Sequence, residues 1–254
     1  MNHFGTLVST QPVMTQELPL VHTSRCEFLD TIVASHKIAS PKPCPVFHEY
    51  LVYLFYGRPA YRSTRGSRPG EGLALCPVCF VFKPRTVSKS ICRVFPCDSG
   101  ALSTDLFKPH LTVADLPELE LEPVIESARR LVPFLFETNE NYFVGKARVG
   151  VALGEDSPGQ RFHQLLIGSG PSACDDRKSA IEVQVRDAVS LKGQLECVML
   201  PREFLDDAKI RTAVLDEWKC DPLDYPTFYG AAPTEYYPVV RQQLFDRLMF
   251  SRPL

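Results

Sequence analysis

The sequence predicts an α+β protein, on three observations. Residues 180–185 and 195–201 alternate or cluster apolar side chains over strand-length spans bounded by polar residues. Residues 122–136, 202–218 and 235–249 instead carry apolar side chains at helical spacing. The 22 prolines fall mainly between these candidate elements, which argues for many irregular connections and against a helical bundle.

Taken in order, residues 1–17 are polar and unpatterned and read as a loose arm ahead of one domain over 18–254. Residues 18–22 are a short apolar run that reads as a buried strand. A helix over 23–35 follows, because Ser24 and Glu27 have capping-box spacing and Phe28, Ile32 and Val33 recur at helical period. Pro41, Pro43 and Pro45 end it. The apolar stretch 46–56 is closed by Gly57, Arg58 and Pro59. Residues 63–72, rich in Gly, Ser and Arg, have the composition of a mobile loop. Residues 73–83 read as a central strand and 91–95 as a shorter one, and 96–101 as a turn in which Asp98 or Ser99 caps a helix or lines a site. His110 and His163 have no acidic or cysteine neighbours at ligand spacing and read as structural, and the acidic stretch 115–122 reads as a solvated face.

Composition narrows the class. With 44% hydrophobic and 23% charged residues the chain is ordinary for a folded protein, and 254 residues are enough to bury a real core. A net charge of −2 excludes a protein that coats nucleic acid nonspecifically, so any such contact is local. No stretch approaches the roughly 18 apolar residues of a membrane span, and residues 1–19 lack the basic and apolar regions of a signal peptide. A cytoplasmic location is expected. The nine cysteines are then mostly small buried hydrophobes rather than a disulfide framework. G-x-S-x-G, Walker A, H-E-x-x-H and G-x-G-x-x-G patterns do not stand out, which argues against several common enzyme classes.

Three pieces fit one chemistry when taken together. His22 ends a strand, and Thr23 follows it at the start of the predicted helix. Residues 50–62 are dense in tyrosine and arginine, including Tyr53, Tyr56, Arg58 and Arg62. Glu182 stands among apolar neighbours on a late strand. In this order the chain resembles the ADP-ribosyltransferase superfamily, in its histidine–tyrosine–glutamate branch (the PARP and diphtheria-toxin type, with DarT-like enzymes). The resemblance covers about a third of the chain. It implies a mixed, mostly antiparallel core sheet with flanking helices, NAD as co-substrate, and transfer of ADP-ribose to a macromolecule. It further implies Glu182 as the catalytic carboxylate and His22 with Thr23 on the cofactor. Tyr53 or Tyr56 would pack on nicotinamide, and Arg58 or Arg62 would hold phosphate. Arg65 and Arg68 lie where a DNA or RNA acceptor strand is gripped, nucleic acid being favoured over protein. Small enzymes of this kind resemble toxins or antiviral effectors that need a neutralising antitoxin partner.

Each residue also has an ordinary structural reading. Tyr53 and Tyr56 lie three apart in an apolar run, so one belongs to the core. An isolated glutamate on an edge strand ordinarily faces solvent. The competing function is a noncatalytic module that binds nucleic acid or protein and is stabilised by zinc on Cys76, Cys79, Cys92 and Cys97, whose spacing is that of a four-sulfur site. Pro77 and the strand-like run around the first pair argue against zinc, because residues 76 and 79 of one continuous strand point to opposite faces. No metal is therefore expected.

Overall fold

The computed structural model describes residues 2–60, 66–168 and 176–250. The first half of the chain runs α1 (His3–Ser9), β1 (Leu20–Arg25), α2 (Leu29–Ser35), β2 (Lys37–Ile38), β3 (Val52–Tyr56), β4 (Pro77–Phe82), β5 (Ile91–Phe95), α3 (Ser99–Ser103) and α4 (Leu116–Leu119). The second half runs α5 (Ile125–Leu135), α6 (Asn139–Val144), α7 (Pro158–Ile167), β6 (Glu182–Val185), β7 (Val189–Ser190), β8 (Leu195–Pro201), α8 (Ala208–Thr212), β9 (Asp221–Tyr225) and α9 (Tyr236–Phe250). The fold is α+β, with a mostly antiparallel sheet in which β1 with β4, β3 with β6, β4 with β8 and β5 with β6 pair antiparallel and β8 with β9 parallel. Among the described residues, no helix is long and apolar enough to cross a membrane.

By its contacts the chain divides into two compact units, Met1–Leu18, Ser40–Tyr56 and Val87–Asp187 in the first, and Pro19–Ala39, Gly57–Thr86 and Ala188–Leu254 in the second.

In the first unit β6 lies between β5 and β3, antiparallel to both. Residues expected as part of a loose arm form α1, whose Phe4, Gly5 and Val8 are buried. The polar composition of residues 1–17 hid this one apolar face. Asn2 caps the helix by accepting from Gly5 N–H, and its amide donates to the carbonyls of Pro117 and Glu120. α1 packs on α4 and α5. Gly159, in the first turn of α7, is dictated by this packing, since a Cβ there meets Phe4 Cδ2 at 2.8 Å. Gly159→Ala is expected to lower stability by about 1–3 kcal/mol through overpacking, read as a shift of the thermal midpoint.

In the second unit β4 lies between β1 and β8, and β9 follows β8. All six residues of β4 are buried, so both faces of that strand are covered. The helix expected over 23–35 begins later than predicted. Residues 23–25 continue β1, a 3-10 turn spans Cys26–Phe28, and α2 starts at Leu29 with no side-chain cap. The ladder with β4, which pairs Thr23 with Cys79 and Ser24 with Val78, overrides the local capping-box pattern. Residues 202–218 are also broken, into a 3-10 turn, α8 and a π-helical turn at Ala213–Trp218. Trp218 is fully buried there and donates its indole N–H to His36 Nδ1 at 3.1 Å.

Candidate active site

Glu182 opens β6, and the alternation of residues 180–185 has an unexpected outcome. All four residues of β6 are buried, so its polar face meets protein and not solvent. Register places the polar face. Glu182 is opposite Phe55 and Phe95, and Gln184 is opposite Tyr53 and Arg93. Directly opposed residues point to the same side of a sheet, so Tyr53, Phe55, Arg93, Phe95, Glu182 and Gln184 share one face.

The Glu182 carboxylate has no exposed surface. Ser99 holds both of its oxygens, donating its hydroxyl to Oε1 at 2.7 Å and its backbone N–H to Oε2 at 3.1 Å. Gln184 Nε2 donates to Oε1 at 2.6 Å and to Ser99 Oγ at 3.3 Å. Ser99 is placed by its neighbour. Asp98 caps α3 by accepting from Gly100 and Ala101 N–H, and its own N–H donates to the Arg177 carbonyl. Arg177 lies in the 3-10 turn Asp176–Ser179 that leads into β6. Of the two candidates for a cap, Asp98 caps the helix, and Ser99 instead bonds Glu182.

Burial pushes the Glu182 carboxyl up to about 8, the nearby Asp98 carboxylate adds to the rise, and the bonds from Ser99 and Gln184 oppose it. Tyr53 is half-buried on the same face, and its phenol is raised by burial, by a hydrogen bond with Cys44 and by the charge of Glu182. The same face is covered by the segment after Cys44. Phe47 stacks on Phe95 at 5.7 Å, the Arg93 guanidinium lies 4.6 Å over the Phe47 ring, and Glu49 pairs with both Arg93 and Arg186. Those bonds, Arg186 first and then Arg93, hold the Glu49 carboxyl down at about 2.

The two tyrosines separate by face. Tyr56 is fully buried on the side away from Glu182, its hydroxyl accepting from Leu18 N–H at 3.0 Å and its ring against Tyr142. It is the core member of the pair. Tyr142 fixes the start of β6, because its hydroxyl donates to the Tyr56 carbonyl at 2.6 Å and accepts from Ile181 N–H at 3.1 Å. Tyr142→Phe leaves both buried backbone groups without that partner, so a loss of about 2–4 kcal/mol is expected in chemical denaturation.

The remaining candidates lie in the second unit. His22 is half-buried on β1, opposite Phe80, with 6.4 Å between the ring centres. Thr23 points to the other face of β1 and is buried, opposite Cys79 on β4. Arg58 is fully buried. Arg68 is exposed, and its backbone N–H donates to Glu71. Arg62 and Arg65 lie outside the described residues. His163 is buried with Nε2 against the Arg148 carbonyl at 2.7 Å.

The sulfurs are not arranged for metal. Cys76 precedes β4, and Cys79 lies within it opposite Thr23. Burial pushes the two thiols up to about 11 and about 12. Among the described residues, no three His, Cys, Asp or Glu side chains are grouped to hold a metal ion.

No protein-family model and no curated protein matches the sequence. Among solved structures, the chain is similar to Thermus sp. 2.9 DarT in complex with ADP-ribosylated ssDNA, at 13% identity and a TM-score of 0.42, over 85% of this chain and 98% of that one.

Proposed function

We propose that this protein is an NAD-consuming ADP-ribosyltransferase with Glu182 as its catalytic carboxylate. The observation that carries the reading is a carboxylate buried on β6, held by Ser99 and Gln184, with its proton affinity raised to about 8. Such a group suits this chemistry in two ways. When ionised it stabilises the positive charge that develops on ribose C1′ as the bond to nicotinamide breaks and the electron pair leaves with nicotinamide. With a pKa near the working pH it also takes the proton that the acceptor hydroxyl or amine loses on bonding to C1′. Tyr53, on the same face, is the tyrosine that supports this reading best. The ribose reaches Glu182 only as its cover yields. His22, with Arg58 or Arg62, remains the cofactor contact that the sequence resemblance implies, and Arg65 and Arg68 remain the acceptor contacts. A toxin-like role with a neutralising partner belongs to the same reading.

The basic loop around Arg65 and Arg68 favours a single-stranded nucleic acid as acceptor. The test offers NAD labelled in the adenylate moiety together with single-stranded DNA, RNA or protein. Label on a nucleic acid supports the reading, label on protein replaces the acceptor, and label on none of them contradicts the activity. A second reading, a noncatalytic binding module, is favoured by one observation, the lack of any exposed surface on Glu182.

A further inference from the structure

Around Glu182 the hydrogen-bond donors are unevenly divided. Oε1 accepts two bonds, from Ser99 Oγ and Gln184 Nε2, whereas Oε2 accepts one, from Ser99 N–H. A carboxylate oxygen offers about two acceptor sites. Oε1 is therefore saturated, and Oε2 keeps one site. Gln184 also donates to Ser99 Oγ, which directs the serine proton onto Glu182. Every one of these partners is a donor, so the cluster matches the ionised carboxylate, and Ser99 and Gln184 are themselves buried at 1% and 0% exposure.

We propose that Ser99 and Gln184 are positioning residues for Glu182, a clamp that occupies Oε1, fixes the carboxylate plane and presents Oε2 as the working oxygen. The clamp deepens the ADP-ribosyltransferase reading and rests on it for the word working. The geometric claim stands without it. The other ionisable groups facing Glu182 are Asp98 ahead of α3, Cys97 just beyond β5 and Tyr53 on β3. Burial and the Asp98 charge raise the pH at which Glu182 ionises, and the clamp lowers it toward neutrality.

The experiment is a ¹³C NMR titration of the Glu182 carboxyl in the full chain, assigned with Glu182→Gln, alongside the pH profile of NAD turnover. Ser99→Ala removes the hydroxyl while keeping the backbone donor, and Gln184→Leu removes the amide. Each is expected to raise the titration midpoint by about 1–2 pH units, the loss of one bond to a charged group. Ser99→Thr restores it. The turnover profile is expected to move by the same amount, with kcat falling more than KM changes. A midpoint unmoved in both folded variants overturns the clamp. A midpoint that moves in a protein with no NAD turnover supports the clamp and overturns the transferase reading. Ser99→Thr supplies the folded comparison if Ser99→Ala is unstable, because a threonine that leaves the midpoint where the wild type has it supports hydroxyl control, and one that raises it as Gln184→Leu does overturns it.

Discussion

Glu182→Gln is expected to lower nicotinamide release from NAD by about 10²–10³-fold, the loss typical of removing one group that stabilises transition-state charge. The variant keeps the side-chain shape and the bonds that Oε1 accepts from Ser99 and Gln184. Its amide then faces the Ser99 N–H, donor against donor, at the position of Oε2. A penalty of about 1–2 kcal/mol follows, small enough to leave the protein folded. The check is turnover measured beside a thermal melt and a far-ultraviolet spectrum. Activity lost with the spectrum retained is the expected pairing, and activity within a few-fold of wild type removes Glu182 from the chemistry.

Stability is expected to fall as pH rises toward and through 8, with Glu182 as the main source. Its folded-state value, about 8, lies above the ordinary 4.5. The protonated form is thus the better-tolerated one in the fold. The contribution is complete below the ordinary value and is lost as pH climbs through the folded one. Each pH unit of the rise is worth about 1 kcal/mol, so the loss amounts to a few kcal/mol. Glu182→Gln cannot ionise and is expected to flatten this part of the stability profile. Asp98→Asn separates the causes, because asparagine still caps α3 while the charge that raises Glu182 is gone. Its profile is expected to keep the wild-type shape with the midpoint moved to lower pH. Parallel denaturation curves from pH 5 to pH 9 decide both points, and identical slopes in wild type and Glu182→Gln contradict them.

Helix α5 is legible in the sequence through its apolar period and β8 through its run of apolar residues, whereas α9 forms near its expected place with almost no apolar period of its own. Glu182 is legible as a lone carboxylate among Ala180, Ile181, Val183 and Val185. Its surroundings are not. Ser99 is 83 residues away, and no local pattern announces that its hydroxyl bonds Glu182. Gln184 reads as the solvent face of an alternating strand, yet β6 is flanked by β5 and β3 and the amide is buried. The same limit produced the early helix start at residue 23, where pairing of Thr23 and Ser24 with β4 outweighs a short-range cap signal. The choice between Tyr53 and Tyr56 was open in sequence because both positions suit an apolar run. Strand register separates their positions, since opposition to Gln184 puts Tyr53 on the face of Glu182, while Tyr56 is buried in the core. The cover at Phe47 and Glu49 was likewise hidden inside the apolar stretch 46–56, of which only Val52–Tyr56 is strand.

The pH profile of nicotinamide release from NAD, measured from pH 6 to pH 9.5 on wild type and Glu182→Gln, tests the central claim most directly. The account predicts turnover that rises with pH about a midpoint near 8, the value to which burial and Asp98 bring the Glu182 carboxyl, and no such rise in the variant. Turnover that is flat or falling across that range, or that follows the same curve without the carboxylate, contradicts it.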